Sequence, residues 1–196
     1  MTKAARTRQF IIEKTAPIFN CKGYDGTSLS DLTDATGLSK GAIYGNFRDK
    51  DEIASEAFLY AIEKVRATAR LKLDECLSYK DRLISLLDFY AAYVFNPPIK
   101  GGCPLLNHAV EIDDHHPEMR KVVVKELLRT ISFITELIGL GIEAGEFKKD
   151  TDARRIAYVI FCSIEGALMF SRAEKSIEPM DIIVKHCKDI IQQISK

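Results

Sequence analysis

Between residues 37 and 50, glycines at 37, 41 and 45 alternate with Ser39, Lys40, Tyr44, Asn46 and Lys50. These types suit recognition of nucleic acid: ammonium groups for phosphates, hydroxyl and amide groups for base edges, glycines where a backbone must come close. They suit catalysis poorly, because no nucleophile–base motif and no phosphate-cradling glycine loop accompanies them. Two other groups have types that could do chemistry. Cys103 lies in a glycine loop near Lys100 and opens a helix, surroundings that favour a thiolate and reactivity toward electrophiles or oxidants. The alternative is an inert, small apolar cysteine. His108, Glu111, Asp113, Asp114, His115 and His116 are of metal-ligand type, with His108 and Glu111 three apart on one helical face. Acidic and histidine residues ahead of a proline also cap helices and face water, and neither a metal site nor a cofactor is expected.

The elements that must position these groups read as helices throughout. Ile11, Ile12, Thr15, Ile18 and Phe19 recur at helical spacing up to a stop at Gly23, with Pro17 expected to bend this first helix. Thr27 or Ser28 caps a second, short helix that stops at Gly37, and Ser39 caps a third ending near Phe47. Asp49 with Glu52 opens a long helix through about Asp74. Further helices are expected over about 79–95, from Pro104 to about 112, from Pro117 to about 144, from Asp152 through Ser171, and from Glu178 onward. The second and third helices, joined by Gly37-Leu38-Ser39, match a helix-turn-helix. Leu29, Leu32, Leu38, Ile43 and Phe47 are spaced to fill one core, which leaves Lys40, Gly41, Ala42, Tyr44, Gly45 and Asn46 on the outer face of the third helix. Such a helix fits a major groove about 12 Å wide.

Composition narrows the classes. The 196 residues are 46% hydrophobic and 29% charged with zero formal net charge, as in a soluble globular protein. Residues 1–50 carry eight Lys/Arg against five Asp/Glu, so the opening segment is +3 and the rest −3. The longest uninterrupted apolar run, residues 156–162, is too short to cross a bilayer, and no signal-peptide core follows the basic start. Five widely spaced cysteines with no C-x-x-C pair fit reduced thiols, and a cytoplasmic location is expected.

The stretch "GYDGTSLSDLTDATGLSKGAIYGNFRDKDEI", residues 23–53, resembles the DNA-binding segment of the tetracycline-repressor (TetR/AcrR) family of bacterial transcription regulators. Tyr24 after its glycine, Thr27, the Gly37-Leu38-Ser39-Lys40-Gly41 turn, Ile43-Tyr44-x-x-Phe47 and Lys50 fall at the family's positions. The resemblance implies an all-α chain. A helix-turn-helix DNA-binding domain over 1–50 would be continuous with a helical effector-binding and dimerisation domain over 51–196. It implies a repressor, not an enzyme, with double-stranded, near-palindromic operator DNA, a second copy of the chain and a small-molecule or electrophile inducer as partners. Thr27 and Ser28 would bind a phosphate, Ser39, Lys40 and Tyr44 would touch backbone and base edges, and Lys50 would clamp another phosphate. Gly45 and Ala42 depart from the larger side chains common in the family, so few base contacts and some shape readout are implied. A metal-dependent all-α enzyme and a protein-binding helical adaptor are the alternatives.

In the body, residues 152–171 are apolar nearly all round and residues 182–194 repeat the pattern, so two helices need a partner as well as their own core. A two-fold dimer through Ile160, Ala167, Phe170, Ile183, Cys187, Ile190 and Ile194 is expected, and the family resemblance implies the same two helices. Phe89, Tyr93, Cys103, Phe133, Tyr158, Phe161, Glu165 and Met169 are the candidates for an effector pocket, with ordinary core packing as the alternative.

Overall fold

The computed structural model describes residues 2–111 and 116–196. Among them are nine helices: α1 Lys3–Lys22, α2 Leu29–Thr36, α3 Lys40–Tyr44, α4 Lys50–Leu73, α5 Tyr79–Tyr93, α6 Pro104–Glu111, α7 Pro117–Glu143, α8 Ala153–Glu174 and α9 Glu178–Ile194. Two compact units divide the chain, Met1–Arg66 with Pro98–Lys125, and Ala67–Pro97 with Glu126–Lys196. The first unit therefore runs past the division expected at residue 50. The reason is packing: Ile53, Ala54, Ala57 and Ala61 of α4 and Ile99 share one buried cluster with Ile11, Ile12, Ala16, Phe19, Leu32, Ile43 and Phe47.

Local signals account for the helix ends of the first unit. Gly23 (φ 74°) closes α1, its N–H donating to the Phe19 carbonyl, and Pro17 sits inside an unbroken helix. Ser28 and Asp31 form a reciprocal capping box at the start of α2, and Gly37 (φ 66°) ends it in the left-handed conformation that glycine adopts freely. Ser39 caps α3 through the Ala42 N–H. This helix is shorter than expected, stopping at Tyr44. The Asn46 side-chain amide donates to the Ala42 carbonyl at 2.8 Å, taking the acceptor that the Asn46 N–H would use in a continuing helix. That N–H bonds Ile43 instead, which tightens the chain out of the α-helix.

In the second unit α5, α8 and α9 pack pairwise. Leu83, Leu86 and Leu87 of α5, Ile160, Phe161, Ile164 and Leu168 of α8, and Met180, Val184, Cys187 and Ile191 of α9 are buried. Helix α8 runs three residues beyond the expected Ser171, ending where Lys175 takes a left-handed conformation (φ 56°). By length and apolarity α8 alone among the described helices could cross a bilayer, and 44% of its apolar window is buried inside the protein.

The residues expected at a dimer seam divide by burial. Ile160, Ala167 and Cys187 are buried in the unit's own core and present nothing outward, while Ile183, Ile190 and Ile194 are half-buried. Of the seven only Phe170 is exposed, at 56%. A helix turns by about 100° per residue, so neighbouring positions on α8 and α9 alternate between the unit's core and its surface. The apolar residues that do face outward on α8 are Tyr158, Val159, Met169 and Phe170, joined by Ile182 of α9.

Candidate nucleic-acid interface

The α2–turn–α3 segment stands on Ile43, which is fully buried, and on Leu32 and Phe47. Leu38 and Tyr44 pack against this core half-buried. What remains outward is the first turn of α3. Ser39, Lys40, Gly41 and Ala42 are all exposed. The Lys40 ammonium has no hydrogen-bond or ion-pair partner among the described residues. Nothing lies within 4 Å of where a Cβ on Gly41 would stand, whereas one on Gly45 would sit 3.2 Å from the Gly41 carbonyl oxygen.

The remaining expected contacts fare differently. Thr27 is 1% exposed and its hydroxyl donates to the Gly23 carbonyl at 2.5 Å, so it closes the α1–α2 turn and is not on the outer face. Ser28 is exposed, yet its hydroxyl is engaged with Asp31, donating to the carboxylate at 2.8 Å and accepting the Asp31 N–H at 3.1 Å. Lys22 at 2.6 Å and the bonds from Ser28 hold the Asp31 carboxyl down to about 2. Asn46 is half-buried with its amide on Ala42. The Lys50 ammonium donates to the Tyr24 carbonyl at 2.6 Å and lies 4.2 Å from the centre of the Tyr24 ring. An ammonium has three donors, so one such bond leaves capacity for a phosphate.

Sequence reasoning named Tyr24 only as a family position and did not single out Arg8, yet both brace this face. Arg8 of α1 donates to the Asn46 carbonyl and to Glu52 and Glu56 of α4, its guanidinium 4.1 Å from the centre of the Phe47 ring. The bonds to Glu56 and Glu52 raise its pKa further. Tyr24 donates its hydroxyl to Asp51, packs its ring 4.5 Å from that of His116, and has its phenol pushed up by burial and by the Asp51 bond. The only advance sign of either was the aromatic after Gly23.

A cleft of about 550 Å³ in the first unit is lined by Tyr24, Asp51, Glu52, Glu56, His116 and Met119 among others. Its carboxylates are already engaged, Asp51 by Tyr24, Glu52 and Glu56 by Arg8, and Glu118 by Lys121. Of the metal-type cluster, His108 is buried with Nδ1 2.9 Å from the Pro104 carbonyl and its charged form disfavoured by burial. Glu111 binds backbone N–H groups of Tyr24 and Asp25. Asp113, Asp114 and His115 lie outside the described residues. Among those described, no three metal-type side chains come together.

The effector-pocket set also splits. Phe89, Tyr93, Phe161 and Glu165 are buried in the second unit, with the Phe89 and Tyr93 rings edge to face at 5.6 Å. Phe133, Tyr158 and Met169 face outward there, because their helices present them opposite the buried stripe. Cys103 belongs to the first unit and is buried, so an electrophile reaches it only when its surroundings open.

Comparison with known proteins agrees with this arrangement. Residues 11–57 match the family described as bacterial regulatory proteins, tetR family, and residues 80–187 match the tetracyclin repressor-like C-terminal domain. A TetR-family transcriptional regulator from Cytophaga hutchinsonii is 40% identical with a TM-score of 0.93, over 100% of this chain and 98% of that one. The HTH-type transcriptional repressor DhaR of Mycobacterium sp. (strain GP1) is 25% identical over 90% of this chain and 89% of its own. The TetR-family regulator CifR, solved as a cysteine mutant on a 26-base-pair operator, shares the fold at a TM-score of 0.83 and 20% identity, over 92% of this chain and 94% of that one. With both of its domains matched, the chain belongs to the TetR family of bacterial transcriptional regulators, helix-turn-helix DNA-binding proteins and not enzymes.

Proposed function

We propose that this regulator is a cytoplasmic, homodimeric repressor that binds a near-palindromic operator and is released by a small-molecule or electrophile inducer. The observation that carries the DNA-facing part is the first turn of α3. Lys40, Gly41 and Ala42 project from a helix whose opposite side is fixed by the buried Ile43. Ser39 supports it by capping, and Lys50 adds a cation held in place by Tyr24. Thr27 and the Asn46 amide are already bonded within the protein and contribute by holding the turn and the end of α3. The repressor reading follows the name of the DhaR relative, and the operator reading follows the complex of the CifR neighbour.

The dimer is supported by the outward apolar stripe of α8, Tyr158, Val159, Met169 and Phe170, with Ile182 beside it on α9. Exposed apolar residues concentrated on one face mark an interaction surface. Two copies would place two α3 helices in successive major grooves about 34–36 Å apart. The buried rings of Phe89 and Tyr93 with Phe161 and Glu165 are the proposed effector-binding region.

Duplex DNA selected by the protein from a random-sequence pool tests the reading. Enrichment of an inverted repeat is expected, with affinity that falls steeply with salt. Selection of no sequence, or binding that salt leaves unchanged, would remove the proposed operator.

A further inference from the structure

The turn from α1 into α2 is held by a carboxylate that comes from α6, 87 residues away. Glu111 accepts the Tyr24 N–H at 2.7 Å with one oxygen and the Asp25 N–H at 2.9 Å with the other. Gly23 makes room for it: at φ 74° its missing Cβ would lie 2.3 Å from a Glu111 oxygen. Asn107, one turn earlier on α6, secures the same corner by donating its amide to the Asn20 carbonyl at 2.9 Å.

The two peptide groups bound by Glu111 are each held from the other end. The carbonyl of the Gly23–Tyr24 peptide accepts the Thr27 hydroxyl at 2.5 Å. The carbonyl of the Tyr24–Asp25 peptide accepts the Lys50 ammonium at 2.6 Å. A peptide is planar, so fixing its N–H fixes the direction of its carbonyl. Carboxylate, peptide and ammonium thus form one hydrogen-bonded chain in which the central dipole is aligned with both charges and each bond strengthens the next.

We propose that Glu111 is a positioning residue for DNA binding: through the Tyr24–Asp25 peptide it sets the place of the Lys50 ammonium. This rests on the DNA-binding reading above and adds a residue that lies outside the exposed turn of α3. Without the carboxylate, two N–H groups of the turn lose their acceptor, and apart from Lys50 itself the Tyr24–Asp25 peptide keeps only the long 3.3 Å bond from the Thr27 N–H to its carbonyl, which loosens the acceptor that holds Lys50.

The test is a double-mutant cycle on DNA selected from a random pool by the wild-type protein, with concentrations set by stoichiometric titration so that only folded protein is compared. Glu111→Ala and Lys50→Ala are each expected to weaken binding about 10-fold or more, the size of a lost charge-assisted bond. The double variant is expected to bind about as well as Lys50→Ala alone. Glu111→Gln, which keeps the shape and offers only one acceptor, should fall between, and hydrogen exchange at the Tyr24 and Asp25 amides should accelerate in step. Unchanged affinity of Glu111→Ala or Lys50→Ala, or effects that multiply in the double variant, overturns the proposal while leaving DNA binding intact. Failure of the wild type to select any DNA overturns the functional reading itself.

Discussion

Helix α3 has five residues and buries one of them, Ile43; helix α8 has twenty-two, buries eight in its own unit and turns four large apolar side chains outward. The short helix is held by what surrounds it: a cap at Ser39, the Asn46 amide on the Ala42 carbonyl, and Arg8 reaching over from α1 to the Asn46 carbonyl. The long helix is held by its own stripe and has apolar surface left over. A segment of five residues is far below the length at which a helix is stable alone in water. Its orientation therefore depends on a few anchors, while α8 could lose one contact and keep its place. Precision of placement comes from the neighbours in the first case and from redundancy in the second.

The severest break in this contrast is Ile43→Ala. It removes the one buried side chain of α3 and is expected to cost about 2–5 kcal/mol of stability, with DNA affinity lost as α3 loosens. Denaturant unfolding followed by circular dichroism measures it, and a cost below about 1 kcal/mol would mean that the caps alone hold α3. On the other helix, Phe170→Glu should leave the fold of the chain intact and yield a monomer by sedimentation. Loss of two-site binding should then weaken operator affinity about 100-fold or more. A dimer that survives this change would move the interface off the outward face of α8.

Smaller changes sharpen the comparison. Ser39→Ala takes away the cap and is expected to cost about 1 kcal/mol, more of it visible in α3 than anywhere else. Two of the thiols should differ in kind. Burial pushes the Cys187 thiol up to about 11, so at pH 8 it stays protonated and shielded, while Cys21 is exposed. Native alkylation with mass-spectrometric mapping should modify Cys21 and leave Cys187 untouched until the protein unfolds. The smallest effect belongs to Gly41→Ala. Nothing stands where its Cβ would go, so stability should hold or rise by up to about 1 kcal/mol, the difference in helix propensity.

What could be read from the sequence follows the range over which each feature is encoded. Ser28, Gly37 and Ser39 announce helix ends within three residues, and all three do so in the structure. The burial of Leu32, Ile43 and Phe47 follows from spacing in the same way. Thr27 was legible as a residue near a cap, yet whether its hydroxyl points to solvent or to Gly23 is decided by how the turn closes. Glu111 and Arg8 carry no local sign of these contacts, since their partners lie 86–87 and 38–48 residues away and single charged residues have no periodicity. On α8 the signal was ambiguous for another reason. A helix apolar on two sides fits its own core in more than one rotation, and that is how Ile160 and Ala167 were assigned to the outer face.

The open space beside Gly41 bears on how such a regulator changes its target over time. Adding a side chain there meets no neighbour inside the chain, and the helix gains if anything. If α3 faces DNA as proposed, a side chain at this position would add a base contact in one mutational step without compensating changes in the core. The adjacent Ala42 is exposed in the same turn and extends the choice to two neighbouring sites. With Ile43 locked behind them, the proposed reading face can change its side chains while the scaffold that presents it stays fixed.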